Sequence, residues 1–319
     1  MSIYLVTGGA GFIGSNIVEE LVNQGATVRV IDNFSTGHRQ NLKTFQNSVD
    51  FRELDICNLA DLKEAVAGVD YILHQAAIPS VPRSVIDPIS SHNADVTGTL
   101  HVLWAAKEAG VKRVVYAASS SAYGDSEQLP KEEAMRVRPI SPYGLMKYMG
   151  EEYCQLFTSL YGLETVPLRY FNVFGPRQDP TSQYSGVLSR FITAMLCGQR
   201  PVIFGDGEQS RDFTYVSNVV RANLLACQSA RAVGKVHNVA CGGRITLNKV
   251  VEILNRLLGT HLEPIYEAPR TGDIKHSMAN IMRAKANLNY IPTVGFEEGL
   301  KQTVEWYQDY LKKVRNEVY

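Results

Sequence analysis

The chain has 319 residues, 45% of them hydrophobic, and its 32 Lys+Arg balance its 32 Asp+Glu to a formal charge of zero. Those values fit an ordinary globular chain of about two domains or one large α/β unit; they exclude a mainly disordered state, and the lack of a basic block speaks against a nucleic-acid surface. Five scattered cysteines without a C-x-x-C pair, and histidines never paired at helical spacing, point away from a disulfide framework and a metal site. No apolar run approaches the ~18 residues of a membrane span, and no leader pattern opens the chain, so a cytoplasmic protein without a membrane partner is expected.

In chain order, β-branched runs at Ile3–Thr7, Thr27–Asp32, Val49–Glu53, Tyr71–Gln75, Arg113–Ala118 and Thr165–Tyr170 read as strands. Between them Phe12–Asn23, Leu59–Ala67, Gly98–Ala109 and Tyr143–Tyr161 carry apolar residues at helical spacing, and Gly25, Gly68, Gly110 and Gly162 follow as stop signals. The alternation predicts a doubly wound parallel sheet, a Rossmann-type α/β fold. Asp125–Ile140, polar and holding Pro130 and Pro139, reads as a surface excursion.

After Tyr170 the rhythm breaks. A loop at Gly175–Pro180, a helix at Gly186–Cys197 and a short strand at Pro201–Gly207 predict a smaller mixed α/β lobe, followed by amphipathic helices at Leu247–Leu258 and Phe296–Leu311. Val236–Ala240 is a candidate to return to the main sheet. The expected division is 1–174 for the dinucleotide domain, with 214–245 rejoining it, and 175–213 with 246–319 for a substrate lobe.

Gly8, Gly11 and Gly14 lie in Thr7-Gly-Gly-Ala-Gly-Phe-Ile-Gly14, directly between a predicted strand and a predicted helix. Glycine there lets the turn close and lets backbone amides approach a pyrophosphate, while the helix N-terminus favours its charge. Asp32 ends the second strand, where a carboxylate accepts both hydroxyls of an adenosine ribose and repels a 2′-phosphate, so NAD is the expected cofactor. Asp55-Ile56 is placed to face the adenine, though Asp55 equally suits the cap of the next helix; Gln75-Ala76-Ala77 offers a small-residue exit from the fourth strand. Ser119-Ser120-Ser121 stands at the carboxyl edge of the fifth strand, and Tyr143 and Lys147 leave one face of one helix at i, i+4. A phenol serves as general base near neutrality only if its anion is stabilised, and a neighbouring ammonium does that.

Taken together, T-G-G-A-G-F-I-G, S-S-S-A-Y-G, Y-G-L-M-K, R-Y-F-N-V-F-G-P-R, G-D-G-E-Q-S-R-D-F-T-Y-V and P-R-T-G-D resemble the extended short-chain dehydrogenase/reductase family, specifically its nucleotide-sugar 4-epimerases, from about Ile3 to Leu311. The resemblance implies Tyr143 as acid/base, Lys147 on the nicotinamide ribose, and Ser119 on the reacting oxygen with Ser120 and Ser121 as helpers. It implies NAD contacts at Gly8, Gly11, Phe12, Ile13, Gly14, Asp32, Asn33, Asp55, Ile56, Gln75, Ala76, Ala77, Tyr143, Lys147 and Tyr170. For a UDP-sugar it implies Ser80, Arg83, Ser119, Tyr143, Asn172, Val187, Val202, Phe204, Arg211, Arg270, Asp273 and Ser277, with the two arginines clamping the diphosphate.

Epimerisation is favoured over dehydration and decarboxylation because Ser120 and Ser121 stand where those enzymes carry acids. The position where glucose/galactose-restricted epimerases carry a bulky Tyr is Ser277, and the stretches around Ser80, Arg83 and Asn172 look closest to bacterial UDP-N-acetylglucosamine 4-epimerases. The expected reaction is therefore the NAD-dependent interconversion of UDP-N-acetylglucosamine and UDP-N-acetylgalactosamine through a 4-keto intermediate, with the non-acetylated pair as possible further substrates. UDP-glucose 4-epimerase or another extended short-chain dehydrogenase is the alternative, and a non-catalytic NAD-sensing protein the reading of a different class. Two departures from the family pattern are Asp95, where many relatives have Asn, and Asn280, where they have Asp. A homodimer through a four-helix bundle is expected, with Leu103, Met149, Leu156 and Leu160 in its seam.

Overall fold

A computed structural model of the chain describes residues 2–180, 186–269 and 274–317. The first half lays down β1 (Ile3–Thr7), α1 (Phe12–Asn23), β2 (Thr27–Asp32), β3 (Asp50–Glu53), α2 (Leu59–Val66), β4 (Tyr71–His74), α3 (Val81–Ile86), α4 (Pro88–His92), α5 (Gly98–Glu108), β5 (Arg113–Ser119), α6 (Pro142–Tyr161) and β6 (Glu164–Tyr170). The second half adds β7 (Val173–Phe174), α7 (Val187–Leu196), β8 (Val202–Phe204), β9 (Ser210–Arg211), β10 (Thr214–Tyr215), α8 (Val216–Gln228), β11 (His237–Val239), β12 (Ile245–Thr246), α9 (Leu247–Leu258), β13 (Ile265–Glu267), α10 (Met282–Leu288) and α11 (Phe296–Glu317). No described helix is long and apolar enough to cross a membrane.

Seven strands form one parallel sheet in the order β11-β6-β5-β4-β1-β2-β3. Its strands are apolar at consecutive positions because both faces are covered. Leu5, Ile31, Ile72 and Val114 pack into one cluster with α2 and α5, while their neighbours Val6, Val30, Leu73 and Val115 enter the opposite cluster. That second cluster continues without a break to Phe191, Ile203 and Leu254, so the second half of the chain shares the sheet's core. The four glycines read as helix stops all have positive φ, from 69° to 75°.

The segment from Ser80 to Thr97, to which the sequence pattern assigns no element, holds α3 and α4, followed by a π-helical turn at Asn93–Thr97 that runs into α5. Pro82 and Pro88 interrupt the periodicity in sequence, yet both sit in the first turn of a helix, where a missing N–H costs nothing. The excursion 125–140 lies only partly at the surface, because Lys131 is 2% exposed and bonds the second lobe on both sides, its N–H to Met278 O (2.7 Å) and its O to Asn280 N (2.9 Å). Leu103 is fully buried inside its own subunit against the sheet, so it cannot supply an intersubunit seam.

α6 is held to β6 by the Glu151–Arg169 ion pair, with N···O distances of 2.6 and 2.9 Å and side chains 0% and 3% exposed. The Arg169 guanidinium also lies 4.5 Å from the Tyr123 ring centre. Removing one member of such a pair strands the other charge away from water. Glu151→Ala is expected to lower the unfolding free energy by about 3–5 kcal/mol in equilibrium denaturation; a change below about 1 kcal/mol would show that water reaches Arg169 after all.

Candidate active site

The carboxyl ends of the strands converge where the sheet reverses its winding, between β1 and β4, the place where open α/β sheets bind ligands. Gly8 has φ +64°, and a Cβ there would stand 2.7 Å from the Ala76 backbone; one on Gly14 would run into the Gly8 carbonyl and come within 2.9 Å of Gly9 Cα. Gly11 is the N-cap of α1 and offers no side chain to its first-turn amides. Phe12 and Ile13 open that helix. The bare turn is thus a cradle that side chains would fill, and it fits a dinucleotide pyrophosphate.

Asp32, buried at the end of β2, accepts from Ala10 N (2.9 Å) and Phe34 N (2.7 Å), tying the glycine turn to the next loop. Burial raises its pKa, and the two amide bonds oppose the rise. Asn33 donates to Asp55 Oδ2 at 3.0 Å, so these two expected adenosine contacts meet. Asp55 is not the cap of α2: its carboxylate accepts from Cys57 N, and Asn58 caps the helix. Ile56 is buried beside Gly98. Gln75, Ala76 and Ala77 leave β4 beside the fingerprint, with Ala76 N on Thr7 Oγ1 (3.2 Å) and Gln75 Oε1 accepting from Tyr170 (3.2 Å).

A buried chain missed in the sequence lies below them. Thr99 Oγ1 donates to the Asp95 carbonyl (2.7 Å), so its oxygen accepts from His74 Nε2 (3.0 Å), and His74 Nδ1 accepts from Thr7 Oγ1 (2.7 Å). Burial and, secondarily, the Lys147 charge push the His74 pKa down to about 3, so the ring is neutral and its Nδ1 takes the acceptor role toward Thr7.

The reactive cluster forms where α6 meets the exit of β5. Ser141 caps α6, accepting from Gly144 N at 3.1 Å, and Pro142 follows at its first position. A Cβ on Gly144 would lie 2.7 Å from the Ser121 carbonyl, so glycine lets the helix start directly on the serine segment. The Ser119 hydroxyl stands close enough to the Tyr143 phenol to favour its anion. Ser119 Oγ also bonds Ser121, both its amide and its hydroxyl (3.1 Å each), and Ser120 opens the single turn between them and Tyr123. The Tyr143 amide is held by Ser84 Oγ (3.1 Å), another residue the sequence did not single out. Burial raises the Tyr143 pKa well above the usual 10, the Asp95 charge adds to this, and the Ser119 hydroxyl opposes it. Lys147, 3% exposed, lies with its ammonium 5.1 Å from the Tyr116 ring centre and 6.0 Å from that of Tyr143. Burial lowers its pKa, and the Asp95 and Glu151 charges push back.

The expected substrate residues are distributed over several elements. Ser80 caps α3, with Arg83 on that helix. Asn172, at φ +36°, bonds Asp212 O through its side chain (3.2 Å) and Thr214 N through its carbonyl (3.2 Å). Val187 opens α7, and the Arg190 guanidinium one turn on lies 5.9 Å from the ring centre of Phe204, which shares β8 with Val202. Arg211 lies on β9 beside Ser210, whose carbonyl accepts from Ser277 N at 3.0 Å. Arg270 and Asp273 lie outside the described residues.

A model of the family described as "NAD dependent epimerase/dehydratase family" matches residues 4–242. The chain belongs to that family. It is 39% identical to a putative UDP-glucose 4-epimerase of Methanocaldococcus jannaschii, over 96% of this chain and 98% of the relative. Its fold matches a UDP-glucose 4-epimerase of Thermotoga maritima, solved with UDP-glucose (TM-score 0.92, 39% identity, 97% and 99% coverage). It matches as well a UDP-N-acetylglucosamine 4-epimerase of Methanobrevibacter ruminantium in complex with UDP-N-acetylmuramic acid (TM-score 0.93, 40% identity, 97% and 99% coverage). The protein is an isomerase, an NAD-dependent nucleotide-sugar 4-epimerase.

Because the Gly14 position has no room for a side chain, Gly14→Ala is expected to weaken NAD binding at least tenfold in a fluorescence titration. Unchanged affinity would remove the turn from the cofactor site.

Proposed function

We propose that the enzyme interconverts UDP-N-acetylglucosamine and UDP-N-acetylgalactosamine in the cytoplasm, with residues 1–174 and 214–245 holding the cofactor and the remainder holding UDP. The reading rests on the start of α6 directly on the Ser119–Ser121 segment, which sets Tyr143 there one turn before Lys147. Gly8, Gly11, Gly14 and Asp32 would hold NAD, which when bound accepts and returns the hydrogen at C4 of the sugar. Tyr143 takes the proton of the 4-hydroxyl and later gives it back, Ser119 keeps that oxygen in reach, and the Lys147 charge favours the phenolate. No carboxylic acid stands in the serine cluster, which speaks against dehydration. Asn172 and Arg211, with Arg270, would grip the diphosphate while the hexose stays loosely held, so the 4-keto sugar can present its other face.

Likeness alone does not separate the sugars, since the UDP-glucose and UDP-N-acetylglucosamine epimerases resemble the chain equally. Ser277 favours the acetylated pair. It is half-buried, its amide fixed by the Ser210 carbonyl beside Arg211, and a side chain this small would not compete with a 2-acetamido group for space. The subunits would pair through α6, whose outer face exposes Leu145 (49%), Leu156 (49%) and Leu160 (68%).

Assayed with UDP-sugars, the wild type should turn over the acetylated pair, and Tyr143→Phe should abolish turnover while still binding UDP. Ser277→Tyr should lower kcat/KM for the acetylated pair relative to UDP-glucose by more than about tenfold; an unchanged ratio would leave UDP-glucose 4-epimerase as the better reading. Light scattering should give a dimer, and a monomer at micromolar concentration would remove the α6 interface.

A further inference from the structure

Asp95 plays no part in the chemistry described above, yet it stands inside that chemistry's walls. It occupies the π-helical turn 93–97, fully buried. Its Oδ1 accepts from Ile78 N at 2.7 Å, while Oδ2 is buried without a hydrogen-bond partner among the described residues. Burial raises the Asp95 pKa, so its carboxylate stays charged only where a nearby opposite charge opposes that rise. The turn packs against α6, which carries Lys147; burial opposes the charge on both groups, and their mutual attraction favours it.

The backbone of the turn is fixed as firmly as the side chain. The Asp95 carbonyl receives Thr99, Thr99 receives His74, and His74 is bonded to Thr7 of the glycine turn, while the Ile78 amide holds the carboxylate itself. The titratable groups coupled to Asp95 are Lys147 and Tyr143 from α6 and Tyr116 from β5; Glu151 and Cys154 act on Lys147 in turn, and His74 is joined to the Asp95 carbonyl through Thr99. Glu151 is committed to Arg169, His74 is neutral, and burial keeps Tyr116 and Cys154 protonated. Only Lys147 and Tyr143 remain to respond to the Asp95 charge.

We infer that Asp95 is a positioning residue of the reaction: its carboxylate is the buried counter-ion of Lys147, and it sets the pH range in which Tyr143 exchanges its proton. The inference rests on the roles proposed above for Tyr143 and Lys147. Its sign follows from charge. A negative group beside a phenol opposes the phenolate, and beside an ammonium it favours the ammonium. Removing the charge while keeping the shape therefore moves both limbs of the activity profile toward acid.

Asp95→Asn does this, since its amide oxygen still accepts from the Ile78 amide. In the holoenzyme, the kcat profiles of wild type and Asp95→Asn are compared across pH, together with the phenolate absorbance of each minus that of the same protein carrying Tyr143→Phe. We expect both limbs and the Tyr143 absorbance step to move to lower pH by about one unit, a tenfold change in proton affinity. Profiles that superimpose in pH and differ only in height would overturn the proposal, leaving Asp95 a packing residue. If Asp95→Asn does not fold, Asp95→Ser, which keeps a short acceptor, takes its place; failure of both to fold would likewise overturn it. Should Tyr143→Phe retain turnover, the proposed chemistry falls and this inference with it, whereas an inactive Tyr143→Phe beside an unmoved Asp95→Asn profile overturns the inference alone.

Discussion

The close approach of the first turn to its neighbours governs the rest of the molecule. With Gly8 set against the Ala76 backbone and Gly14 against the Gly8 carbonyl, the exits of β1 and β4 touch through main chain alone. Asp32 extends the contact to β2 by accepting the Ala10 amide, and Thr7 extends it downward through His74 to Thr99. A single added methyl would therefore separate three strand ends together with the helix that begins on them. The same device recurs on the other side of the site, where Gly144 seats α6 on the Ser121 carbonyl and so brings Tyr143 to Ser119.

Buried polar contacts carry this arrangement across to the smaller lobe. Tyr123, under the Arg169 guanidinium, donates to Asn238 Oδ1 (2.7 Å), and Asn238 Nδ2 donates to the carbonyls of Lys131 (3.0 Å) and Asn280 (3.1 Å). Asn280 also donates to Glu132 Oε1 at 3.0 Å, which accounts for an amide where relatives have Asp: an acid there would face another acid. Asp212 closes the lobe by accepting from Cys241 N, Gly242 N and Ala279 N, with burial lifting its pKa to about 6 against those three bonds. The helix bearing Tyr143 and the segment bearing Ser277 are thus joined by hydrogen bonds and an ion pair rather than by apolar packing alone.

The sequence was legible where the physics is local. Strand alternation, glycine stops and the Gly8–Gly14 turn each depend on a few neighbouring residues, and β1, β2, α1 and α9 appear with the bounds their patterns imply. It was illegible where partners lie far apart in the chain. Nothing near Lys131 announces Met278, and nothing near Ser84 announces Tyr143. The helices around Pro82 and Pro88 were hidden because proline reads as a breaker until its place in a first turn is known. Leu103 shows the opposite failure, an apolar helix position whose pattern does not say which of two surfaces it will meet. Asp95 was visible as a departure, but its unpaired oxygen is a property of the fold alone.

The edge strand β11 has a consequence for how the chain is made. It pairs with β6, from which it is separated by most of the smaller lobe's first portion. During synthesis β6 therefore leaves the ribosome with its outer edge open, and it waits for residues 237–239 while β8 and α8 emerge. An open parallel edge of that kind invites pairing with other chains. The molecule is then most vulnerable to aggregation in a defined window of translation, after Tyr170 and before Val239, even though the finished sheet leaves β6 covered on both sides.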